Sequence, residues 1–383
     1  MGQNSARILN IVAPALVICF FQGKKRIKRS RRRLMITPII SCIGIVSALL
    51  AASEHPYAIR QHALHSTATR FKKTSTAQSS KSYKSISGKT IAQLSSTEIV
   101  QALPASESKP DSIIIDAHPA LWMIHKNNTT IYLFGTIHLL DPRYDWFNRH
   151  IKEAFEQSSE LVIETKAPPA DQVQAIVSEL ALNKSGKPLP KRLPIALTRR
   201  IEAELTRFHM PKNSLDRFEP WFVAVTLTML HYQKSGIKTL SGVEPILIAK
   251  AQSEAKNINE LEDFKQQLSF LANLSPADQE VFLRSSLEED EQSSFIIRLL
   301  IKAWAAGDEN RLANIVNQNM SQLPHLQNIL LEERNRHWAA WIENRLKTPG
   351  TVFLAVGAGH LGGAKNLRSI LAEHQIYPVR IDN

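Results

Sequence analysis

Two short apolar segments, more than 200 residues apart, each end in a glycine that a histidine follows three residues later. Their ends are Gly135–His138 and Gly357–His360. An apolar run that stops at a glycine is typical of a buried strand followed by a sharp turn. Such a turn projects the next side chains over the edge of the sheet, where ligand sites concentrate. We therefore predict one sheet that contains both strands, with the long intervening segment inserted between them.

The intervening segment has mostly helical patterns, since apolar residues recur at helical spacing from about residue 170 to 347, with breaks at Pro and Gly. A helix is also predicted over 145–158. Strand patterns occur in a hairpin at 121–134 that turns through Asn127-Asn128, and in runs at 161–163, 258–261, 351–356 and 376–381. These patterns predict an α+β, α/β-like domain over 119–383, with a small sheet built from both ends of the domain and a large helical insertion.

Positive charge is confined to the N-terminal part of the chain. The formal net charge is +12, and residues 1–118, with 17 Lys and Arg against 5 Asp and Glu, account for all of it. The rest holds 30 basic and 30 acidic side chains, so it offers no basic face for phosphates, and no nucleic-acid partner is expected. Both cysteines, Cys19 and Cys42, also lie in the N-terminal part, which excludes thiolate metal sites from the rest.

The first 53 residues predict an export signal or an uncleaved membrane anchor. A dense basic run over 24–33 precedes a charge-free apolar stretch, Leu34–Ala52, and this order sends the following chain across the membrane. We therefore expect the domain on the extracytoplasmic, periplasmic side of the cytoplasmic membrane. Residues 54–118 are rich in Ser, Thr and Lys and predict a flexible linker, because they cannot bury enough apolar surface to offset the entropy of ordering.

Three predicted strand ends carry side chains that suit a metal. His138 and His360 follow two of them, and Glu164 ends the run 161–163. Two imidazoles and a carboxylate without a thiolate suit Zn, Mn, Co or Fe. A site of this kind with an open position for water is typical of hydrolytic metalloenzymes. The alternative is that both histidines are hydrogen-bonded structural residues.

The second glycine turn permits another interpretation. Gly357–Gly362 fits the pattern G-x-G-x-x-G, follows a strand and precedes a helix, as in a dinucleotide-binding fingerprint. Only the strand predicted at 376–381 follows, and this leaves no further strands to build a nucleotide crevice. The fingerprint is therefore the weaker of the two interpretations.

Several short motifs, taken in order, resemble the TraB/GumN family over residues 119–383. The glycine–histidine motifs are the most distinctive, and Gly242–Glu244 has Glu where the family pattern has Asp. The motifs are Leu121-Trp122, Tyr132–Leu140, Glu160–Glu164, Pro220-Trp221, Gly242–Glu244, Leu261-Glu262, Ala303-Trp304, Gly307-Asp308, Arg334-Asn335, Trp338 and Val356–Gly363.

The resemblance implies a fold shared with Tiki-type metalloproteases and, more remotely, with erythromycin-esterase-like (EreA-like) and haem-binding ChaN-like proteins. In Tiki-type enzymes two Gly-x-x-His motifs and a glutamate are the proposed catalytic centre, and the matching residues are His138, His360 and Glu164. The resemblance thus implies a divalent metal (Mn, Co or Zn), with Glu164 as third ligand or as base to a metal-bound water. Arg334 belongs to another signature and would bind a ligand carboxylate or a substrate oxyanion. Its alternative role is an exposed salt bridge on the polar face of a helix over 324–346.

These observations lead to the hypothesis of an exported or membrane-tethered metal-dependent hydrolase, a peptidase that acts on a peptide or protein substrate. Glu244 and Glu262 each follow a break in the pattern and rank below Glu164 as site residues. A non-catalytic alternative stays open, because family members are associated with shutting off peptide-pheromone signals and with polysaccharide gene clusters. The same pocket could then bind a peptide or another ligand without turnover. The oligomeric state is not indicated by the sequence.

Overall fold

The computed structural model describes residues 114–381, apart from 235–241, 288–290 and 321–323. The predicted export segment 1–53 and nearly all of the linker 54–118 lie outside the described residues. Within the described part, no helix is both long and apolar enough to cross a membrane. The elements below belong to one of the two compact units of the chain, the unit that includes residues 115–383.

One mixed sheet forms the centre of the domain. The strands in the described part are β1 (Ile115–Asp116), β2 (Leu121–Lys126), β3 (Thr129–Thr136), β4 (Tyr144–Asp145), β5 (Glu160–Ile163), β6 (Asn257–Glu260), β7 (Gly350–Gly357) and β8 (Val379–Ile381). Six of them form a sheet in the order β6-β5-β7-β3-β2-β8, while β1 and β4 pair separately. Strand β7 lies between β3 and β5 and is parallel to both. The predicted sheet built from both ends of the domain is therefore confirmed.

Helices fill most of the chain between β5 and β7. The α-helices in the described part are α1 (Arg149–Gln157), α2 (Ala170–Ala181), α3 (Ile195–Arg207), α4 (Pro220–Lys234), α5 (Val243–Ser253), α6 (Phe264–Ala272), α7 (Pro276–Ser286), α8 (Glu291–Ala305), α9 (Glu309–Met320), α10 (Pro324–Gln327), α11 (Arg334–Arg345) and α12 (Leu367–Glu373). Only the edge strand β6 interrupts this helical insertion within the described residues. The predicted α+β class is confirmed.

Both faces of the sheet are covered, which explains the continuous apolar runs of the central strands. Side chains alternate between the two faces along each strand. On one face Phe134 and Phe353 join the larger hydrophobic core, and on the other Leu133 and Leu354 pack with Trp338 of α11. The apolar layers hold the strands rigidly, so the turns that follow them start from fixed positions.

Some element boundaries differ from the sequence-based prediction. The helix predicted over 145–158 begins at Arg149, where the side chain of Asn148 caps it, because Tyr144–Asp145 instead pairs with β1. The helix predicted over 324–346 consists of α10, a π-helical turn at Asn328–Glu333 and α11. At the end of the predicted linker, Ala117 is fully buried within the fold.

Candidate active site

The predicted site residues follow the ends of parallel neighbouring strands. Glu164 comes directly after β5, His138 lies two residues beyond β3, and His360 lies three residues beyond β7. Because the carboxyl ends of parallel strands meet at the same edge of a sheet, these side chains come together. All three line one cavity with a volume of about 100 Å³. The two imidazoles, more than 200 residues apart in sequence, therefore face a common space.

Arg334 connects the acidic and imidazole side chains of the site. Its Nη2 donates to Oε2 of Glu164 at 2.6 Å, and its Nε donates to both carboxylate oxygens of Glu262 at 3.0 Å. Its Nη1 donates to the carbonyl oxygen of Leu330 and lies 3.2 Å from Nε2 of His360. Burial lowers the pKa of Arg334, but the charges of Glu164 and Glu262 outweigh burial and raise it. Arg334 is thus a buried cation between two carboxylates, and the exposed salt bridge is not its role.

Glu164 is a buried anion. Its Oε1 accepts a hydrogen bond from the backbone N–H of Gly357 at 2.6 Å. Burial opposes ionisation, but the charge of Arg334, the nearby histidines and this N–H outweigh burial and lower the pKa of Glu164 to about 2. A Cβ atom at position 357 would lie 3.0 Å from Oε1, so the glycine leaves room for this close approach. The carboxylate therefore stays ionised well below the ordinary pKa of a glutamate.

His360 is a buried, neutral imidazole. Its Nδ1 lies 2.7 Å from Oδ1 of Asn335, whose amide nitrogen donates to the carbonyl oxygen of Lys365. Because an amide oxygen can only accept, Nδ1 carries the hydrogen, and Nε2 accepts from Arg334. Burial and the charge of Arg334 lower the pKa of His360 to about 3. The ring also packs on Trp338, with 4.3 Å between ring centroids.

His138 lies against a carboxylate instead of a guanidinium. Its Nδ1 is 3.2 Å from Oε2 of Glu244, and Oε1 of Glu244 accepts from the hydroxyl of Thr136 at 3.0 Å. Burial lowers the pKa of His138, but the charges of Glu244 and Glu164 outweigh burial and raise it above its ordinary value. With Nδ1 turned toward Glu244, Nε2 is the ring nitrogen that remains for the cavity.

The rest of the cavity wall is largely apolar. One aromatic side chain, Phe270 of α6, lies close to the polar end, with its ring 5.8 Å from the guanidinium carbon of Arg334. The π-helical turn places Leu330 and Leu331 in the wall just before Arg334, and π-helical turns are frequent at functional sites. The other apolar residues of the wall are Ile137, Leu139, Ile297, Leu300, Ile301, Leu312, Val316 and Ala358.

The donor types at the strand ends suit a divalent ion, but their arrangement does not. Nε2 of His360 and Oε2 of Glu164 are both bonded to Arg334, so a guanidinium stands where an ion would have to reach both. Two cations cannot share that position in a buried site. Within the part of the chain that the structure describes, no three His, Cys, Asp or Glu side chains are grouped as a metal requires. The divalent ion at His138, His360 and Glu164 stays a prediction.

The structure also places residues at the site that sequence reasoning ranked low or missed. Glu244 and Glu262, ranked below Glu164, contact His138 and Arg334 respectively. Gln267 of α6 was missed, although its Nε2 lies 3.4 Å from Oε2 of Glu164. A single glutamine on an amphipathic helix gives no signal of this kind in the sequence, whereas Glu244 and Glu262 were candidates because each follows a break in the pattern.

The glycine turn after β7 is packed, not open. Residues Ala358–His360 form a 3-10 turn, and a Cβ atom at Gly362 would collide with the carbonyl group of Glu309 at the start of α9. The glycines therefore permit close packing of the turn on a neighbouring helix. This arrangement does not favour the dinucleotide interpretation, which needs an open cradle for a pyrophosphate.

Fold and site together define a class of protein, an α+β domain whose mixed sheet brings two Gly-x-x-His turns, a glutamate and an arginine to one cavity. The chain belongs to the TraB/PrgY/gumN family, whose family model matches residues 120–380. This confirms the resemblance seen in the sequence motifs.

Two relatives of the chain have names that state no function. It is similar to the uncharacterized protein YbaP of Escherichia coli (strain K12), with 28% identity over 152 residues, which are 39% of this chain and 55% of that protein. An uncharacterized protein of Treponema pallidum (strain Nichols) is 21% identical over 280 residues, which are 69% of this chain and 83% of that protein. The match thus spans about half the length of YbaP. No solved structure matches the chain.

Proposed function

We propose that the chain is a hydrolase that cleaves peptides, with His138 as the group that accepts the proton of the attacking water. The observation that supports this proposal is the pairing of Nδ1 of His138 with Glu244, which leaves Nε2 for the cavity. A histidine whose second nitrogen faces a carboxylate is a common general base. The resemblance to Tiki-type proteases supports the peptide bond as the target.

The reaction can be written with side chains of this chain alone. Nε2 of His138 takes a proton from water while the water oxygen bonds to the substrate carbonyl carbon. The negative charge that develops on the carbonyl oxygen needs a hydrogen-bond donor from the cavity wall, and we expect that donor to be Arg334, which lines the cavity and whose charge is shared between Glu164 and Glu262. When the carbon–nitrogen bond breaks, the proton on His138 passes to the leaving amine.

Two further parts of the proposal come from the sequence. We expect the domain on the periplasmic side of the cytoplasmic membrane, exported or anchored by residues 1–53. We also retain the predicted Mn, Co or Zn ion as a separate hypothesis, in which His360 gives up its contact with Arg334. Elemental analysis of the purified chain after loading with each metal tests this point, and an ion lost in both His138→Ala and His360→Ala supports it.

The experiment that tests the hydrolase is a peptide-library digestion. The full-length chain is incubated with the library alone and with added Mn, Co or Zn, and products are identified by mass spectrometry. We expect cleavage that His138→Ala abolishes, while the control Glu153→Gln, an exposed residue of α1, cleaves like the wild type. Absence of any cleavage in all four conditions would contradict the proposal.

A ligand-binding protein without turnover is the second candidate, and one observation favours it. The buried ionic network of Arg334, Glu164 and Glu262 is complete without any ligand, so the cavity is preformed beside it. Peptides that are retained by the chain but recovered intact, with retention lost when Leu330 or Phe270 is changed to Ser, would support binding over catalysis.

A further inference from the structure

The segment Gly242–Glu244 packs directly on the turn that carries His138. The backbone N–H of Val243 donates to the carbonyl oxygen of Ile137 at 2.9 Å. A Cβ atom at Gly242 would lie 2.8 Å from the carbonyl oxygen of His138, closer than carbon and oxygen tolerate. The glycine therefore lets α5 begin against the turn, and this brings the next side chains of the helix to the imidazole.

Glu244 uses both carboxylate oxygens at this contact. Oε1 accepts from the hydroxyl of Thr136 at 3.0 Å, and Oε2 lies 3.2 Å from Nδ1 of His138. The second contact is bent away from ideal hydrogen-bond geometry, and Nδ1 is sealed from solvent with no better partner among the described residues. Glu244 also lies in the first turn of α5, where the helix dipole favours an anion.

The hydrogen-bonding chemistry of Glu244, His138 and Thr136 determines which ring nitrogen of His138 carries the hydrogen. An ionised carboxylate only accepts hydrogen bonds, so the nitrogen that faces Glu244 is the one that carries the hydrogen in the neutral imidazole. The lone pair is then on Nε2, the nitrogen that remains for the cavity. Thr136 donates to the same carboxylate and limits its rotation. Thr136 and His138 both belong to the first glycine turn, and both contact Glu244. The turn and the start of α5 therefore fix each other's position.

We infer that Glu244 is a positioning residue that selects the Nδ1–H tautomer of His138 and aims its Nε2 into the cavity. This inference rests on the proposed function, since the tautomer it selects is the one that can accept a proton from water or a substrate. Carboxylates that orient a metal-ligating histidine through its second nitrogen are worth about 10–100-fold in activity or affinity, and we expect an effect of that size here. The motif Gly242–Glu244 is thereby part of the site.

The test is the tautomer of His138 itself. The full-length chain is labelled with ¹⁵N-histidine, and long-range ¹H–¹⁵N spectra are recorded above the pKa of His138, with its signals assigned by their loss in His138→Asn. We expect the wild type to show the hydrogen on Nδ1. In Glu244→Gln the amide can donate to Nδ1, so the signals should move toward the Nε2–H tautomer. Glu153→Gln serves as matched control, and thermal melting checks that each variant is folded.

Two further measurements test the contributions of Thr136 and Glu244 separately. Thr136→Val keeps the carboxylate but removes its second partner, so the wild-type tautomer should persist with broadened signals. Against a peptide that the library identifies, Glu244→Gln should lower kcat about 10–100-fold with little change in KM, because a residue that orients His138 acts on proton transfer and not on substrate binding.

Two outcomes would overturn the inference: a wild-type His138 that already carries its hydrogen on Nε2, or a Glu244→Gln spectrum identical to that of the wild type. If the tautomer changes as expected but no peptide is ever cleaved, the hydrolase fails while the role of Glu244 stands. Because the spectra need no substrate, the two failures are distinguishable.

Discussion

The two Gly-x-x-His turns share their spacing, follow neighbouring parallel strands and line one cavity, yet their histidines face opposite charges. His138 faces the carboxylate of Glu244, and its pKa is raised. His360 faces the guanidinium of Arg334, and its pKa falls to about 3. Since an ordinary imidazole titrates near pH 6.5, His138 takes up a proton more readily than a free imidazole does, whereas His360 stays uncharged at neutral pH.

The contrast shows that the Gly-x-x-His motif determines where each imidazole lies. Segments distant in sequence determine which charged group lies beside it, and therefore the direction of its pKa shift. Both turns place an imidazole at the same sheet edge because both follow strands of one sheet. The charge beside each ring comes from elsewhere, Glu244 from the start of α5 and Arg334 from the start of α11. Two identical motifs can therefore give one proton-accepting group and one neutral hydrogen-bonding group.

The largest expected effect comes from removing the cation beside His360. Arg334→Met should lower the free energy of unfolding by about 3–5 kcal/mol, because Glu164 and Glu262 would be left as buried, unpaired carboxylates. Denaturant titration of the full-length chain measures this loss.

The control for that measurement is Arg149→Ala, which breaks an exposed pair with Glu153 and should cost less than about 1 kcal/mol. If Arg334→Met were as mild as the control, the buried network would not hold the second turn, and the contrast between the turns would lose its basis.

The second prediction concerns the loss of stability at acidic pH. The pKa of His360 is about 3 when folded and near 6.5 when unfolded, so below pH 6.5 the unfolded chain binds the extra proton and stability falls. One proton corresponds to about 1.4 kcal/mol per pH unit. Glu164, with a folded pKa of about 2 against an ordinary 4.5, adds to this loss only below pH 4.5.

His360→Gln isolates the histidine contribution. Denaturant titrations at pH 6.5, 5.5 and 4.5 should show a shallower fall in this variant than in the wild type, whatever its absolute stability. Equal slopes in the two proteins would mean that His360 is protonated in the fold and that its turn resembles the first one after all.

The third prediction is that the pH dependence caused by His138 is opposite to that caused by His360. The pKa of His138 is raised in the fold. The stability that this residue contributes is therefore present below pH 6.5 and is lost as pH rises through the folded pKa. As a general base it must be neutral, so kcat/KM for a cleaved peptide should fall about tenfold per pH unit below its pKa.

A pH profile from 5 to 9 measures this dependence. The inflection should lie above pH 6.5 in the wild type and move down in Glu244→Gln, because the variant lacks the charge that raises the pKa of His138. An inflection below pH 6.5 in the wild type would assign the proton acceptor to another group.

The sequence predicts where the site residues lie better than it predicts which side chains surround them. The central strands β3, β5 and β7, their place in one sheet and the convergence of His138, His360 and Glu164 follow from apolar runs that end in glycine or glutamate, whereas the short strands β1 and β4 do not. The role of Arg334 does not follow, since a helical pattern over 324–346 shows neither the π-helical turn before Arg334 nor the carboxylates that its guanidinium contacts. Gln267 could not be found either, because helical periodicity does not tell which polar residue faces a neighbouring carboxylate.

The smallest expected effect comes from adding one methyl group to each turn, at Gly135 in the first and at Gly359 in the second. A Cβ atom at Gly135 would lie 3.1 Å from both Cα and Cβ of Ala358, so the first turn is packed against the backbone of the second. At Gly359 the nearest atom, Cγ1 of Val316, is 4.0 Å away. Gly135→Ala should therefore cost about 1 kcal/mol through overpacking, while Gly359→Ala should stay within about 0.5 kcal/mol. Thermal melting of both variants decides the matter: if they melt alike, the turns do not press on each other, and His138 and His360 are positioned independently rather than as one unit.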